Sequence, residues 1–500
     1  MKIKSLVLAI STVLCTAAVW ADNKVTTDAS GNNNTINATQ QGGDGNTTII
    51  TQVSDNNQST TSQTGNNNTA SVNQHNYNDG WLGEVSNNGT GLAAINQTGD
   101  NNFATIDQGN STYQAAYGYL GSQSTATINQ LSSSNSVANI IQYYQLGTNL
   151  AAINQAGDTN TANITQSYGA GDSASISQDG SGNTATITQD TDPGNTGNTA
   201  SITQTDAGNQ ATINQQSNNS TATINQSGYR DTTSISQTSG AYNSASVTQT
   251  YGAYNSASVT QSGMSDTTAI VQGGGYQGIT LDQKNDNSAA TINQSGGYNS
   301  AGVTQNGMSD TTAIVQGGGY QGITLDQKND NSAATINQNG GYNSIGVTQN
   351  GMSDTTAIVQ GGGYQGITLD QKNDNSAATI NQYGSYNSVR VTQNGMSDTA
   401  TIAQNGGFSG ITLDQENNNS TATINQNGGY NNAGVTQSGM SDTTTIVQGG
   451  GNYDIVTVLS QTGDNNNAII NQNIDGSSAF NYIANVTQSG SGNTATITQQ

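Results

Sequence analysis

The chain has 500 residues and a formal net charge of −23, with 31 Asp and Glu against 8 Lys and Arg. Such acidity argues against nucleic acid or anionic lipid as a partner, because phosphate binding needs a basic surface. Ile, Leu, Val and Phe make up roughly 15% of the residues, too little for an ordinary apolar core, so the chain is either disordered or built around polar side chains.

Residues 1–21 read as a signal peptide. Lys2 and Lys4 precede a short, mostly apolar stretch from Ser5 to Ala18, and Val19 and Ala21 suit the −3 and −1 positions of a cleavage site. The stretch is too short to span a bilayer, and no transmembrane segment is expected in the mature chain. The single cysteine, Cys15, lies in this stretch, so the mature protein is expected to have no disulfide and no cysteine metal site. An Asn/Gly-rich segment follows at 22–45.

Residues 46–260 carry irregular repeats. Glutamines recur mostly every 11 or 12 residues, as at Gln155, Gln166, Gln178 and Gln189, then Gln204, Gln215, Gln226, Gln237 and Gln249. The longer step after Gln189 contains Pro193, the only proline, and reads as an enlarged turn. Two other long steps, around Trp81 and around Tyr113 to Tyr119, lack a clear middle glutamine.

From 261 to 448 the repeat is regular. Glutamine recurs every 11 residues from Gln261 to Gln448 without a slip. A 44-residue block is superimposed: Gly263–Gln294 returns unchanged at Gly307–Gln338 and Gly351–Gln382. Each 11-residue unit is a strand and a turn. Because side chains alternate along a strand, Ser288, Ala290, Ile292 and Gln294 share one face, and Asn299, Ala301, Val303 and Gln305 share one face of the next. The Gly-bearing turn Ser295–Tyr298 separates them. One such strand has too little apolar area to fold alone. Stacking supplies what is missing, because identical strands one above another line up their amides as hydrogen-bonded ladders. The expected fold is therefore all-β: an amyloid-like, cross-β β-solenoid of strand–turn–strand layers, about 22 residues per layer. Lys284, Lys328 and Lys372 follow Asp282, Asp326 and Asp370 and are expected to soften repulsion along an aspartate column that includes Asp310 and Asp354. Turn tyrosines such as Tyr298 and Tyr342 are expected to stack between layers. Residues 449–500 return to a looser spacing, at Gln461, Gln472, Gln488 and Gln499.

Four polar positions now define a motif. Ser288, Gln294, Asn299 and Gln305 follow the spacing Ser-x5-Gln-x4-Asn-x5-Gln. Ser332, Gln338, Asn343 and Gln349 repeat it, as do Ser376, Gln382, Asn387 and Gln393, and Ser420, Gln426, Asn431 and Gln437. Looser versions occur at Asn57, Gln63, Asn68 and Gln74, and at Asn149, Gln155, Asn160 and Gln166. The pattern resembles the curlin repeat of the major curli fibre subunit, and these residues would form its structural ladder. The resemblance implies a secreted subunit that leaves through an outer-membrane pore. It further implies assembly with copies of itself, on a nucleator subunit, into extracellular amyloid fibres for adhesion and biofilm matrix.

Rival readings are weaker. An enzyme is not expected: His75 is the only histidine, and the aspartates repeat with the fold instead of marking one cleft. No cofactor or metal is expected either. Asp44-Gly45-Asn46 reads as turn chemistry, with no EF-hand loop or Gly-Gly-x-Gly-x-Asp nonapeptide present. The alternative function is a soluble β-solenoid that binds ice or acts as a surface adhesin. Thr184, Thr186 and Thr188, and Thr494, Thr496 and Thr498, alternate on a presumed outer face, but Ala289, Asn293 and Gly302 break that array in the regular repeats.

Overall fold

A computed structural model describes residues 22–31, 33–53, 56–77, 91–111, 123–143, 147–190, 197–450, 455–474 and 482–500. The signal-peptide reading, Trp81, Tyr113 to Tyr119 and Pro193 lie outside the described residues. The described residues contain forty strands and no helix, from β1 (Lys24–Ser30) to β40 (Thr494–Gln499). They form two compact units, one ending at Tyr254 and one beginning at Asn255.

Within each unit every strand pairs in parallel with the strand two places on, so odd and even strands build two separate sheets. In the second unit β22 (Ala289–Gly297) pairs with β24 (Thr311–Gly319), setting Ile292 beside Ile314 and Gln294 beside Gln316. Likewise β23 (Ser300–Gln305) pairs with β25 (Gly322–Gln327), setting Val303 beside Leu325 and Gln305 beside Gln327. The structure is thus a parallel β-solenoid whose neighbouring strands lie about 22 residues apart in sequence. A hairpin would pair consecutive strands antiparallel. Here the turns instead carry the chain from one sheet to the other, and the backbone groups are satisfied between layers.

The interior lies between the two sheets. Along β22 the inward residues Ala290, Ile292 and Gln294 are buried, while Thr291 and Asn293 face out. One column of the even sheet is isoleucine throughout Ile270, Ile292, Ile314, Ile336 and Ile358; the matching column of the odd sheet alternates valine and leucine through Val303, Leu325, Val347 and Leu369. Each aliphatic residue of the even column is flanked by Ala or Thr and a glutamine, whereas in the odd sheet Leu325, Val347 and Leu369 gain a second aliphatic neighbour, Ile323, Ile345 and Ile367.

The first unit keeps this register despite its uneven spacing. Gln63 donates to Gln97 at 2.9 Å and Gln74 to Gln108 at 2.8 Å, each across 34 residues of sequence. Gln178 to Gln204 and Gln189 to Gln215 bridge 26 residues at 2.9 Å. Most of the extra length therefore falls between strands, and where register does shift it shifts just past the glutamine, as between Gln97 and Gly99 and between Ser227 and Tyr229.

Turns have their own column of constraint. Gly340 sits at φ +115°, and a Cβ there would collide with the carbonyl of Gly362 in the next layer. The same geometry recurs at Gly296, Gly318 and Gly362. Gly340→Ala is expected to destabilise the second unit by at least about 2 kcal/mol in urea titrations, from left-handed strain and the backbone collision together. Asn337→Ala, on the outer face of the same strand, should stay within about 0.5 kcal/mol of the parent.

Candidate functional site

Among the described residues the buried polar side chains form columns along each solenoid. All sixteen motif residues from Ser288 to Gln437 are buried. The glutamines stack on glutamines. In the even sheet Nε2 of Gln294 donates to Oε1 of Gln316 at 2.6 Å, Gln316 to Gln338 at 3.1 Å, Gln338 to Gln360 at 2.8 Å, and so on through Gln382, Gln404 and Gln426 to Gln448. In the odd sheet Gln305, Gln327, Gln349, Gln371, Gln393, Gln415 and Gln437 continue in steps of 3.0–3.1 Å. Each of these bonds runs from an earlier layer to a later one.

A second contact ties the sheets together. Gln305 Nε2 also donates to the carbonyl of Ala289, at the start of the facing strand, at 3.2 Å. The hydroxyl of Thr312 donates to Gln327 Oε1 at 2.9 Å. A buried carboxamide lacking partners costs on the order of 1–3 kcal/mol, and these bonds remove that cost at every layer.

Serine and asparagine columns differ from the glutamine columns. Stacking in 22-residue steps on a 44-residue block sets Asn299 and Asn343 either side of Gln321, so asparagine does not lie on asparagine in the regular repeats. Asn343 instead holds the backbone: Nδ2 donates to the carbonyls of Asn339 and Gly362 at 3.2 and 3.1 Å, and Oδ1 accepts the Gln365 N–H at 3.2 Å. Asn299 and Asn387 make the same pair of carbonyl contacts. Serine alternates with aspartate. The Ser332 N–H donates to Asp310 Oδ1 at 3.0 Å, and its hydroxyl to the Gly351 carbonyl at 3.2 Å. Ser288, Ser376 and Ser420 repeat this on Asp266, Asp354 and Asp398.

These aspartates share the serine column, and the expectation that fails concerns the lysines. Asp266, Asp310, Asp354, Asp398 and Asp442 are fully buried. The lysines do not neutralise them. Lys284, Lys328 and Lys372 pair with the outer-face residues Asp282, Asp326 and Asp370 at 3.1, 3.3 and 3.5 Å. Burial pushes the carboxyls of Asp266, Asp310, Asp354 and Asp398 up to about 6, although each accepts two backbone N–H bonds that act the other way. The nearby carboxylates Asp286, Asp330 and Asp374 add to the upward shift of the first three. Asp172 in the first unit is likewise pushed up to about 6 by burial.

The one histidine belongs to a small brace on the first unit. His75 Nδ1 lies 3.4 Å from Asp107 Oδ1, the Tyr143 hydroxyl donates to Asp107 Oδ2, and Asn73 Nδ2 donates to Oδ1 at 3.1 Å. Burial raises the Asp107 carboxyl, but these hydrogen bonds and the His75 ring outweigh it and hold the group below its usual range. Register sets His75, Gly109 and Tyr143 in one column, and the bare glycine leaves room for both rings. The 32- and 36-residue separations vary with the inserts, so no spacing in the sequence announced this cluster.

The model of the curlin associated repeat matches residues 217–250, 373–406 and 418–450. The last two stretches contain the motifs beginning at Ser376 and Ser420. No curated protein matches the chain.

The aspartate column gives a pH dependence with a fixed sign. Carboxyls near 6 in the fold and near 3.8 in the unfolded chain bind protons preferentially when folded. Stability is therefore greatest below about pH 4, falls as pH rises through 6, and is level above it, by on the order of 2 kcal/mol for each aspartate. Urea midpoints at pH 4 and pH 7 measure this. Replacing Asp266, Asp310, Asp354 and Asp398 together by Asn should flatten the slope.

Proposed function

The chain carries curlin associated repeats, and on that premise we propose that it is a secreted structural subunit that polymerises into curli-like amyloid fibres at the cell surface, serving adhesion and biofilm matrix. The observation that carries this reading is the one-way glutamine ladder and what it leaves open. Inside the second unit each glutamine accepts from the layer before and donates to the layer after. In its last described layer Gln488 and Gln499 still accept, from Gln461 at 2.8 Å and Gln472 at 2.6 Å. Their own Nε2 groups donate to backbone carbonyls, of Asn467 at 3.0 Å and Ile483 at 3.3 Å, without a glutamine beyond. Donors at this edge suit the addition of a second copy by the bonds that already join layers. Among the described residues β39 (Tyr482–Ser489) and β40 pair on one side only, leaving backbone groups free for the same purpose.

In this reading the partners are further copies of the chain, with a nucleator subunit starting the fibre and an outer-membrane pore releasing the unfolded chain. The acidic charge keeps that chain soluble beforehand.

Fibre diffraction and seeding test the proposal. Purified protein should give a meridional reflection near 4.7–4.8 Å, and preformed fibres should abolish the lag phase of fresh protein. Replacing Gln488 and Gln499 by Leu should slow elongation on the order of tenfold, as two edge hydrogen bonds of about 1 kcal/mol are lost. Protein that stays monomeric when seeded at high concentration, or that shows thermal hysteresis as a monomer, would overturn it.

A further inference from the structure

The outer corner of the second unit carries a column of rings that the amide ladders do not require. Tyr276, Tyr298, Tyr320, Tyr342, Tyr364, Tyr386, Phe408 and Tyr430 stack in sequence, with centroids 4.7–5.2 Å apart and planes within 9° of parallel. Each sits in the left-handed region at φ 57–60°, where bulky residues are rare. Most of them are fixed there by a backbone bond to the layer before, as Tyr320 N–H donates to the Gly297 carbonyl at 3.0 Å. Each of these residues is about half exposed. Six phenols therefore stand in an unbroken, solvent-accessible run from Tyr276 to Tyr386. Phe408 separates that run from Tyr430.

We propose that this run is a site of oxidative cross-linking, at which hydrogen peroxide and a one-electron oxidant of the haem peroxidase class join neighbouring tyrosines into dityrosine and staple successive layers covalently. Each of two phenols gives up one electron and one proton to become a phenoxyl radical. The radicals combine through their ortho carbons, forming one C–C bond, and the two ring hydrogens at those carbons move to the oxygens and restore both phenols. The net loss is two electrons and two protons, which reduce one peroxide to two waters. Holding the partner ring one layer away gives a high effective concentration, so coupling inside the stack outruns coupling between molecules. Half-exposed rings can tilt on their side-chain bonds to close the remaining gap. A radical formed anywhere in the run can pass between adjacent phenols until it meets a second, but phenylalanine at 408 cannot carry it on. The described residues contain no cysteine, so this is a covalent tie that the fold itself supplies. It acts within one chain and does not depend on fibre assembly.

The test treats dilute, folded full-length chain with hydrogen peroxide and a haem peroxidase. Dityrosine fluorescence and peptide mass spectrometry are the readouts. Links should join tyrosines 22 residues apart between Tyr276 and Tyr386, and Tyr430 should stay unlinked. Tyr298→Phe, Tyr342→Phe and Tyr386→Phe combined leave no two phenols adjacent in the stack, and should cut intrachain dityrosine at least tenfold with the circular dichroism spectrum unchanged. Phe408 already occupies the same turn. Mapping the parent chain in denaturant gives a second control, in which the 22-residue pattern should vanish. An undiminished yield in the triple variant, the same links in the denatured chain, or links concentrated on the more exposed but unstacked Tyr251, would each overturn the proposal.

Discussion

A buried carboxamide must find a partner, and for the glutamine near the end of each strand that partner is the matching glutamine one layer away. That requirement explains more of the architecture than hydrophobic burial does. The aliphatic columns exclude water, but any aliphatic side chain of similar size would do so. The amide columns tolerate no such freedom, because a strand shifted by one residue turns its glutamine and its isoleucine to solvent together. Parallel pairing follows from the same demand, since only parallel, in-register strands set like residues beside like at every position.

Sequence insertions show where the constraint ends. In the first unit the steps bridging Gln63 to Gln97 and Gln178 to Gln204 differ by eight residues in length, yet both deliver a glutamine pair at 2.9 Å. Strand register is strict and turn length is free. The turns have a separate rule where they stack: glycines at positive φ approach the next layer so closely that no side chain fits.

Much of this was legible in the residues. The 11-residue step gave the strands, alternation gave the faces, and the glutamine spacing gave the stacking unit. Three features were not. The aspartate column is legible from the alternation of Asp with Ser, but its complete burial is not, because the alternation does not show that no cation reaches it. The lysines misled because Lys284 is close in sequence to Asp282, whose side chain points away from the buried column. The aromatic run was seen only in part: Tyr298 and Tyr342 stood out at the 44-residue period, while the intervening Tyr320 completes the stack from a turn of different sequence. The His75 brace is different again, since its separations depend on insert lengths that no period records.

The glutamine bonds all point one way, and dipoles that point one way add. Backbone hydrogen bonds in a sheet contribute little, because their dipoles alternate along each strand. The side-chain carboxamides do not alternate. Each unit thus holds two parallel files of aligned carboxamides, each polarised further by its neighbours in a medium of low permittivity. The early-layer face is the oxygen-terminated, electronegative pole of this array and the late-layer face its electropositive pole. The protein interior is in this sense an electret, and ions in the surrounding medium will sort themselves differently at its two poles.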